Sequence, residues 1–268
     1  MRTDKCASAP VSKGFDGEKY ESSSSHQKEW GNKLIEELEL EGSEHILDLG
    51  CGNGLVTREL AERVPEGKVL GIDSSSSMLG KAKSHKLRNM EFKLLDIRDM
   101  DFVQEFDLVF SNAAMHWVKE HDIVLRKIHA SLKAGGTVRM QFAGEDNCPT
   151  ISGVLKESIS FSGFEDDFRD FDWPWYMPDA GTYEELIRSA GFRAYRVWME
   201  NADRYFPDEQ SFVGWIEQPS LVPFLRVLSE EKSALFRNMV VEKTKKAAFQ
   251  PDNSYFETFR RINVSAIK

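Results

Sequence analysis

Cysteine is scarce in this chain. Its 268 residues hold three, Cys6, Cys51 and Cys148. An odd, scattered set gives neither a disulfide framework nor a zinc-ligand spacing. A reducing compartment, the cytoplasm, is the expected setting. No apolar run approaches the roughly 20 residues of a membrane helix, and the stretch before Tyr20 has no apolar core of the secretory kind. No membrane partner is therefore expected. A basic excess is missing too: 35 Lys and Arg stand against 44 Asp and Glu, a net charge of −9. That is the wrong field for a nucleic-acid partner, whose phosphates supply most of the affinity. With 41% apolar and 29% charged residues, the composition is that of a globular chain able to bury a large core.

What is present is an alternation of strand and helix patterns. A helix is expected after Ser25, with Trp30, Leu34, Ile35 and Leu38 as its apolar stripe and Gly42 as its end. The short runs HILDLG, KVLGID, EFKLLD, FDLVFSN and GTVRMQF read as buried parallel strands. Helical patterns lie between them, the last running to Lys133 with Gly135 as its C-cap. Right-handed βαβ units and a mainly parallel sheet follow.

From Gly144 to Ala180 the pattern breaks into an aromatic-rich, acidic insertion, about residues 144–180. Thr182 and Glu185 then form a T-x-x-E capping box, and FRAYRVWM is a sixth strand. Residues 207–250 read as a helical cap, with Asp208 and Ser229 as helix N-caps. YFETFRRINVSAI closes the chain as a last strand. Residues 1–20 read as a loose segment and 21–268 as the domain.

Chemistry concentrates in Asp48-Leu49-Gly50-Cys51-Gly52-Asn53-Gly54, between a strand and a helix. Glycines let main chain lie against a ligand, and the following helix points free N–H groups at the same place. The spacing is not the dinucleotide G-x-G-x-x-G, because the third glycine arrives one residue early, and the Gly-Lys-Ser/Thr of a P-loop is absent. Asp73 ends the second strand, where an acid accepts ribose hydroxyls. Asp96 ends the third, placed to meet an adenine amino group, and Asp48 ends the first, near where an α-ammonium could lie. Three acids at adjacent strand tips suit a ligand with a cationic amine, a ribose and an adenine, and suit a pyrophosphate poorly.

The run LDLGCGNG, with Asp73 after GI and Asp96 after LL, resembles the class I S-adenosylmethionine-dependent methyltransferases. The stretch SNAAMHWVKEH before KAGG is similar to the trans-aconitate methyltransferase branch, and His116-Trp117-Val118 also to juvenile hormone acid methyltransferases. The resemblance implies a Rossmann-like α/β fold: a seven-stranded sheet in order 3-2-1-4-5-7-6, strand 7 antiparallel, with the helical cap inserted before the last strand. It implies S-adenosylmethionine as cofactor and S-adenosylhomocysteine as product. Gly50, Gly52, Asn53, Asp73, Ser74, Met78, Asp96, Ile97, Asn112 and Asp48 are its implied contacts, with Tyr20 and Gln27 as an N-terminal lid.

The implied reaction is methylation of a small molecule, with O-methylation of a carboxylate the leading form. An ionised carboxylate needs no base. An alcohol, phenol or amine would need one, and His116 is the candidate. Trp117, Trp175, Tyr176 and Arg260 are the candidate acceptor contacts; of Arg260 and Arg261, which alternate across a strand, at most one is expected to face a pocket. No metal is called for. A non-catalytic cofactor-binding module is the alternative from a different class.

Overall fold

The computed structural model describes residues 25–161 and 163–268, the side chains of residues 25–28 and of Pro219 excepted. The expected loose segment 1–20, and Tyr20 with it, lies outside the described residues, as does the side chain of Gln27.

In its described residues the chain divides into two units, one of residues 25–149, 173–205 and 256–268, the other of residues 150–172 and 206–255. The first unit is built on a sheet. Its strands are β1 (His45–Leu49), β2 (Lys68–Asp73), β3 (Met90–Leu94), β4 (Phe106–Asn112), β5 (Leu132–Ala143), β6 (Ala194–Asn201) and, after the short pair β7 (Arg204–Phe206) and β8 (Tyr255–Glu257), β9 (Arg260–Ile267). Among the described residues the order is β3-β2-β1-β4-β5-β9-β6. Among the described strands of this sheet, only β9 runs opposite to the rest, antiparallel to both β5 and β6. This is the expected topology, with the last strand numbered ninth because of the additional pair.

Both sheet faces are covered, as parallel strands require. Ile46, Leu108 and Phe110 pack with Leu34 and Ile35 of α1 (Ser25–Glu36) and Leu60 of α2 (Leu55–Arg63). Leu47 and Val109, one residue on, face the other way and pack with Val124 and Ile128 of α4 (His121–Ser131) and Tyr183 and Ile187 of α6 (Ala180–Ser189). The period of two along a strand produces this division. The short α3 (Ser76–Ala82) lies between β2 and β3 in sequence. Ser111 Oγ donates to Leu49 O at 2.9 Å, locking the tips of β4 and β1 together.

Four local expectations are corrected. Helix α1 ends at Glu36, not Gly42. Leu38 and Leu40 both pack on the cluster around Leu34, and two residues apart is the spacing of extended chain, not of a helix. Helix α4 stops at Ser131 because fully buried Leu132 already pairs with Phe106 in the sheet; Gly135 sits in the strand irregularity that follows. Asp179, not a Thr182–Glu185 box, caps α6: its carboxylate takes Thr182 N–H at 2.9 Å and Thr182 Oγ1–H at 2.6 Å. The patternless stretch after Gly144 contains a helix, α5 (Pro149–Ile159), with proline at its first position, where its missing N–H costs nothing.

The second unit contains α7 (Glu209–Trp215), α8 (Val222–Leu225) and α9 (Glu230–Ala248), with Asp208 and Ser229 as side-chain caps of α7 and α9. Phe168 lies 5.2 Å from both Phe171 and Phe236, and Phe171 lies 4.9 Å from Phe224. No helix among the described residues is long and apolar enough to cross a membrane.

Candidate active site

The glycine turn begins where β1 ends. Gly50 N–H and Cys51 N–H both donate to Ile72 O, at 2.9 and 3.0 Å, so the turn is tied to β2. Gly50 has φ 70°, and a Cβ there would lie 2.2 Å from Ala114 Cβ. Its bare α-carbon therefore admits the turn that follows β4. Gly52 differs: at φ 55° its missing Cβ would meet only Met78 Cε, at 3.2 Å. The main chain at Gly52 thus stays open to close approach.

Acids surround this turn. Asp73 accepts Gly52 N–H at 2.9 Å and Ser75 N–H at 2.7 Å. Burial raises its carboxyl pKa, these two bonds oppose the rise, and the charge of Asp96 adds to it. Asp48 is 2% exposed and accepts Thr57 Oγ1–H at 2.7 Å. Burial, opposed by that bond and aided by the Asp73 charge, pushes it up to about 7. Asp96 is held below the usual carboxylate range by Arg98, whose Nε and Nη2 meet its oxygens at 3.0 and 2.8 Å. Asp48 thus feels the charge of Asp73, and Asp73 that of Asp96. Asp73 ends β2 as expected, whereas Asp48 lies one residue inside the end of β1 and Asp96 does not end β3: that strand stops at Leu94, and Asp96 instead caps the turn Ile97–Asp99 by accepting Arg98 N–H. Burial and these acids push the Cys51 thiol up, so it is a packing residue with no thiolate character.

The other expected cofactor contacts are placed as follows. Asn53 accepts Leu55 N–H at 3.3 Å, Ser74 is exposed, and Met78 and Ile97 are buried. Asn112 ends β4, its Nδ2 3.0 Å from where a Cβ on Gly31 of α1 would stand. An acid cluster around open main chain fits a cationic ligand bearing hydroxyls, such as the adenosyl sulfonium.

Beyond β4 the chain turns at Met115–Trp117. His116 is 9% exposed, and its Nδ1 has no hydrogen-bond partner among the described residues. Burial drives its pKa well below 6.5, with the positive charge of Arg261 adding to the effect. Aromatic rings continue from it: Trp117 at 5.3 Å, Trp175 at 5.8 Å from Trp117, and Trp173 at 5.5 Å from Trp175. Tyr176 N–H donates to His116 O at 2.9 Å. The structure therefore brings His116, Trp117, Trp175 and Tyr176 together.

Arg260, the arginine singled out from sequence, is half-buried and donates its main-chain N–H to Asn147 Oδ1 at 3.1 Å. Arg261 is the one whose charge reaches His116. It is 3% exposed and lies over the Trp30 ring at 4.6 Å, while Arg204 lies over the same ring at 5.3 Å. The sequence offered Arg260 and Arg261 as alternatives and singled out Arg260; Arg204 it missed. The pairing of Arg261 with Ala143 at the end of β5 is what sets their difference, and a lone strand pattern does not carry it.

A methyltransferase-domain family matches residues 46–136. The trans-aconitate 2-methyltransferase of Shigella dysenteriae serotype 1 (strain Sd197) is 30% identical over 207 residues, covering 76% of this chain and 78% of that protein. The YcgJ protein of Bacillus subtilis has the same fold, with a TM-score of 0.60 at 16% identity over 91% of this chain and 98% of the other. So does Haemonchus contortus phosphoethanolamine N-methyltransferase 2, solved with phosphomonomethylethanolamine and S-adenosylhomocysteine: its TM-score is 0.61 at 22% identity, over 94% of this chain and 57% of the other. The sheet order, the glycine turn with its acids and these likenesses agree: the chain belongs to the S-adenosylmethionine-dependent methyltransferases, in the family of the trans-aconitate 2-methyltransferases.

Proposed function

We propose that this methyltransferase esterifies a carboxylate of a small molecule. One observation carries the reading: His116, the only base candidate taken from the sequence, is held neutral and weakly basic by burial and by Arg261. A general base works best with a pKa near the working pH. A carboxylate acceptor needs none, being ionised already. The buried positive charge of Arg261 favours an anion nearby, despite the net charge of −9, and the relatives' name supplies a carboxylic acid as substrate.

In this reading Gly50, Gly52 and Asn53 would hold the methionine end of the cofactor, with Asp48, Ser74, Met78 and Asn112 as further contacts. Asp73 takes the ribose hydroxyls. Asp96 and the Ile97 main chain take the adenine, while Tyr20 and Gln27 contribute from the N-terminal side. The bound cofactor supplies a methyl group made electrophilic by its sulfonium. The chain's own part is alignment and exclusion of water. Trp117, Trp175 and Tyr176 wall the acceptor, and Arg261 supplies the cationic charge that the sequence assigned to Arg260. The free, buried Cys51 and Cys148 suit a reducing cytoplasm.

The test is methyl transfer from isotopically labelled S-adenosylmethionine to a panel of carboxylic acids, alcohols, phenols and amines, with base-labile methyl esters as the expected product. His116→Ala should keep turnover within about tenfold with a flat profile from about pH 6.5 to 8.5, since loss of a true base costs roughly 10²–10⁴-fold. A loss of that larger size, with unchanged binding of S-adenosylhomocysteine, overturns the reading.

A further inference from the structure

His121 ends the SNAAMHWVKEH stretch and has no part in the chemistry above. It opens α4, is 1% exposed and uses both ring nitrogens. Nε2 is 3.0 Å from Met115 O, and Nδ1 is 3.0 Å from Tyr183 Oη. A carbonyl oxygen only accepts, so Nε2 carries the proton, Nδ1 accepts, and the Tyr183 hydroxyl donates. Tyr183 is fully buried, so this hydroxyl has no water to turn to. The ring also packs on Tyr176 at 4.8 Å and on Phe142 at 5.5 Å.

These contacts join two separate pieces of chain. The Met115 carbonyl belongs to the turn that presents His116 and Trp117. Tyr176 belongs to the segment that presents Trp175, and its N–H is bonded to His116 O. One imidazole therefore holds the turn by a hydrogen bond and the segment by ring packing, while Trp117 and Trp175 meet edge to face at 5.8 Å.

We infer that His121 is a positioning residue: clamped between Met115 O and the Tyr183 hydroxyl, it sets the gap between Trp117 and Trp175 and thereby which acceptors are aligned for methylation. This rests on the reading that the two tryptophans wall the acceptor. A neutral ring is what the clamp requires, and burial pushes His121 down to about 4. Because no reacting atom touches His121, its loss should appear in acceptor selection and alignment, not in cofactor binding.

Two variants separate this from a general structural role. Tyr183→Phe removes one hydroxyl and leaves Nδ1 without its donor; His121→Phe keeps a ring and removes both bonds. With labelled S-adenosylmethionine and the panel of acids, both should raise the acceptor KM about tenfold, within the range that small misplacements cost. Both should also reorder the panel by acceptor bulk, and both should leave the Kd for S-adenosylhomocysteine within about twofold. Unchanged acceptor ranking in folded variants, or a parallel loss of cofactor affinity, overturns the inference. If the unaltered chain methylates no acid, the carboxylate reading falls, and the same comparison is made on the alcohols, phenols and amines. Independently of any acceptor, ¹⁵N-histidine spectra should show His121 as the Nε2–H tautomer without titration from about pH 5.5 to 8.5. An Nδ1–H tautomer, or a midpoint in that range, overturns the clamp.

Discussion

At Gly50 a single hydrogen atom decides whether the active-site turn closes. A methyl group there would stand 2.2 Å from Ala114 Cβ, at φ 70°. Gly50→Ala should lower unfolding free energy by about 2–5 kcal/mol, the sum of a left-handed non-glycine residue and an overpacked contact. A shift of the urea midpoint at unchanged slope would show it. Asp48 gives a pH signature. Its folded-state carboxyl holds a proton up to about pH 7, while the ordinary value is 3.8. A raised folded pKa means stability present below the unfolded pKa and lost as pH rises through the folded one. Without cofactor, wild type should therefore lose stability relative to Asp48→Asn between about pH 4 and 7, at up to roughly 1.4 kcal/mol per pH unit. A difference independent of pH would contradict this. The glycine turn and the acids at the strand tips were legible in the sequence, because each is a local feature of a strand end. Arg261 and His121 were not, because their roles come from partners far along the chain: Ala143 and Trp30 for one, Tyr183 and Tyr176 for the other.

Among the elements, strands were easier to read than helix ends. Five residues of HILDL or seven of FDLVFSN declare a buried strand by composition alone. Helix ends depend on which neighbour the next side chain finds: Leu38 left α1 for the Leu34 cluster, and Leu132 left α4 for Phe106. Helix α5 had its signal, since Ile151, Val154, Leu155 and Ser158 are its buried positions at helical spacing, but the surrounding acids and aromatics masked it. For α6 the two possible caps make opposite forecasts. Asp179→Ala should lower the urea midpoint, because Thr182 loses the acceptor for both its N–H and its hydroxyl; Glu185→Ala should leave the midpoint in place.

For the whole molecule, net charge and local charge oppose one another. If the acceptor is a carboxylate, as proposed, a chain at −9 repels it at long range, and the buried charge of Arg261 opposes that repulsion at short range. Salt screens the first more than the second, since the Debye length is about 10 Å at 0.1 M. The KM for a carboxylate acceptor should therefore fall as ionic strength rises from about 10 to 150 mM. A rising KM would mean that exposed cations dominate recruitment. The aromatic-rich stretch also splits at this scale. Phe164, Phe168 and Phe171 go to the helical unit, while Trp173, Trp175 and Tyr176 go to the sheet unit, a division between Phe171 and Trp173 that the sequence does not mark. The helical unit takes Phe168 and Phe171 from one stretch and Phe224 and Phe236 from another, so it is not a cassette that one recombination event can exchange. A chimera grafting residues 206–255 from a relative inherits half a set of matched rings. Only a double graft that carries residues 150–172 as well keeps Phe168 and Phe171 with the Phe224 and Phe236 they pack against.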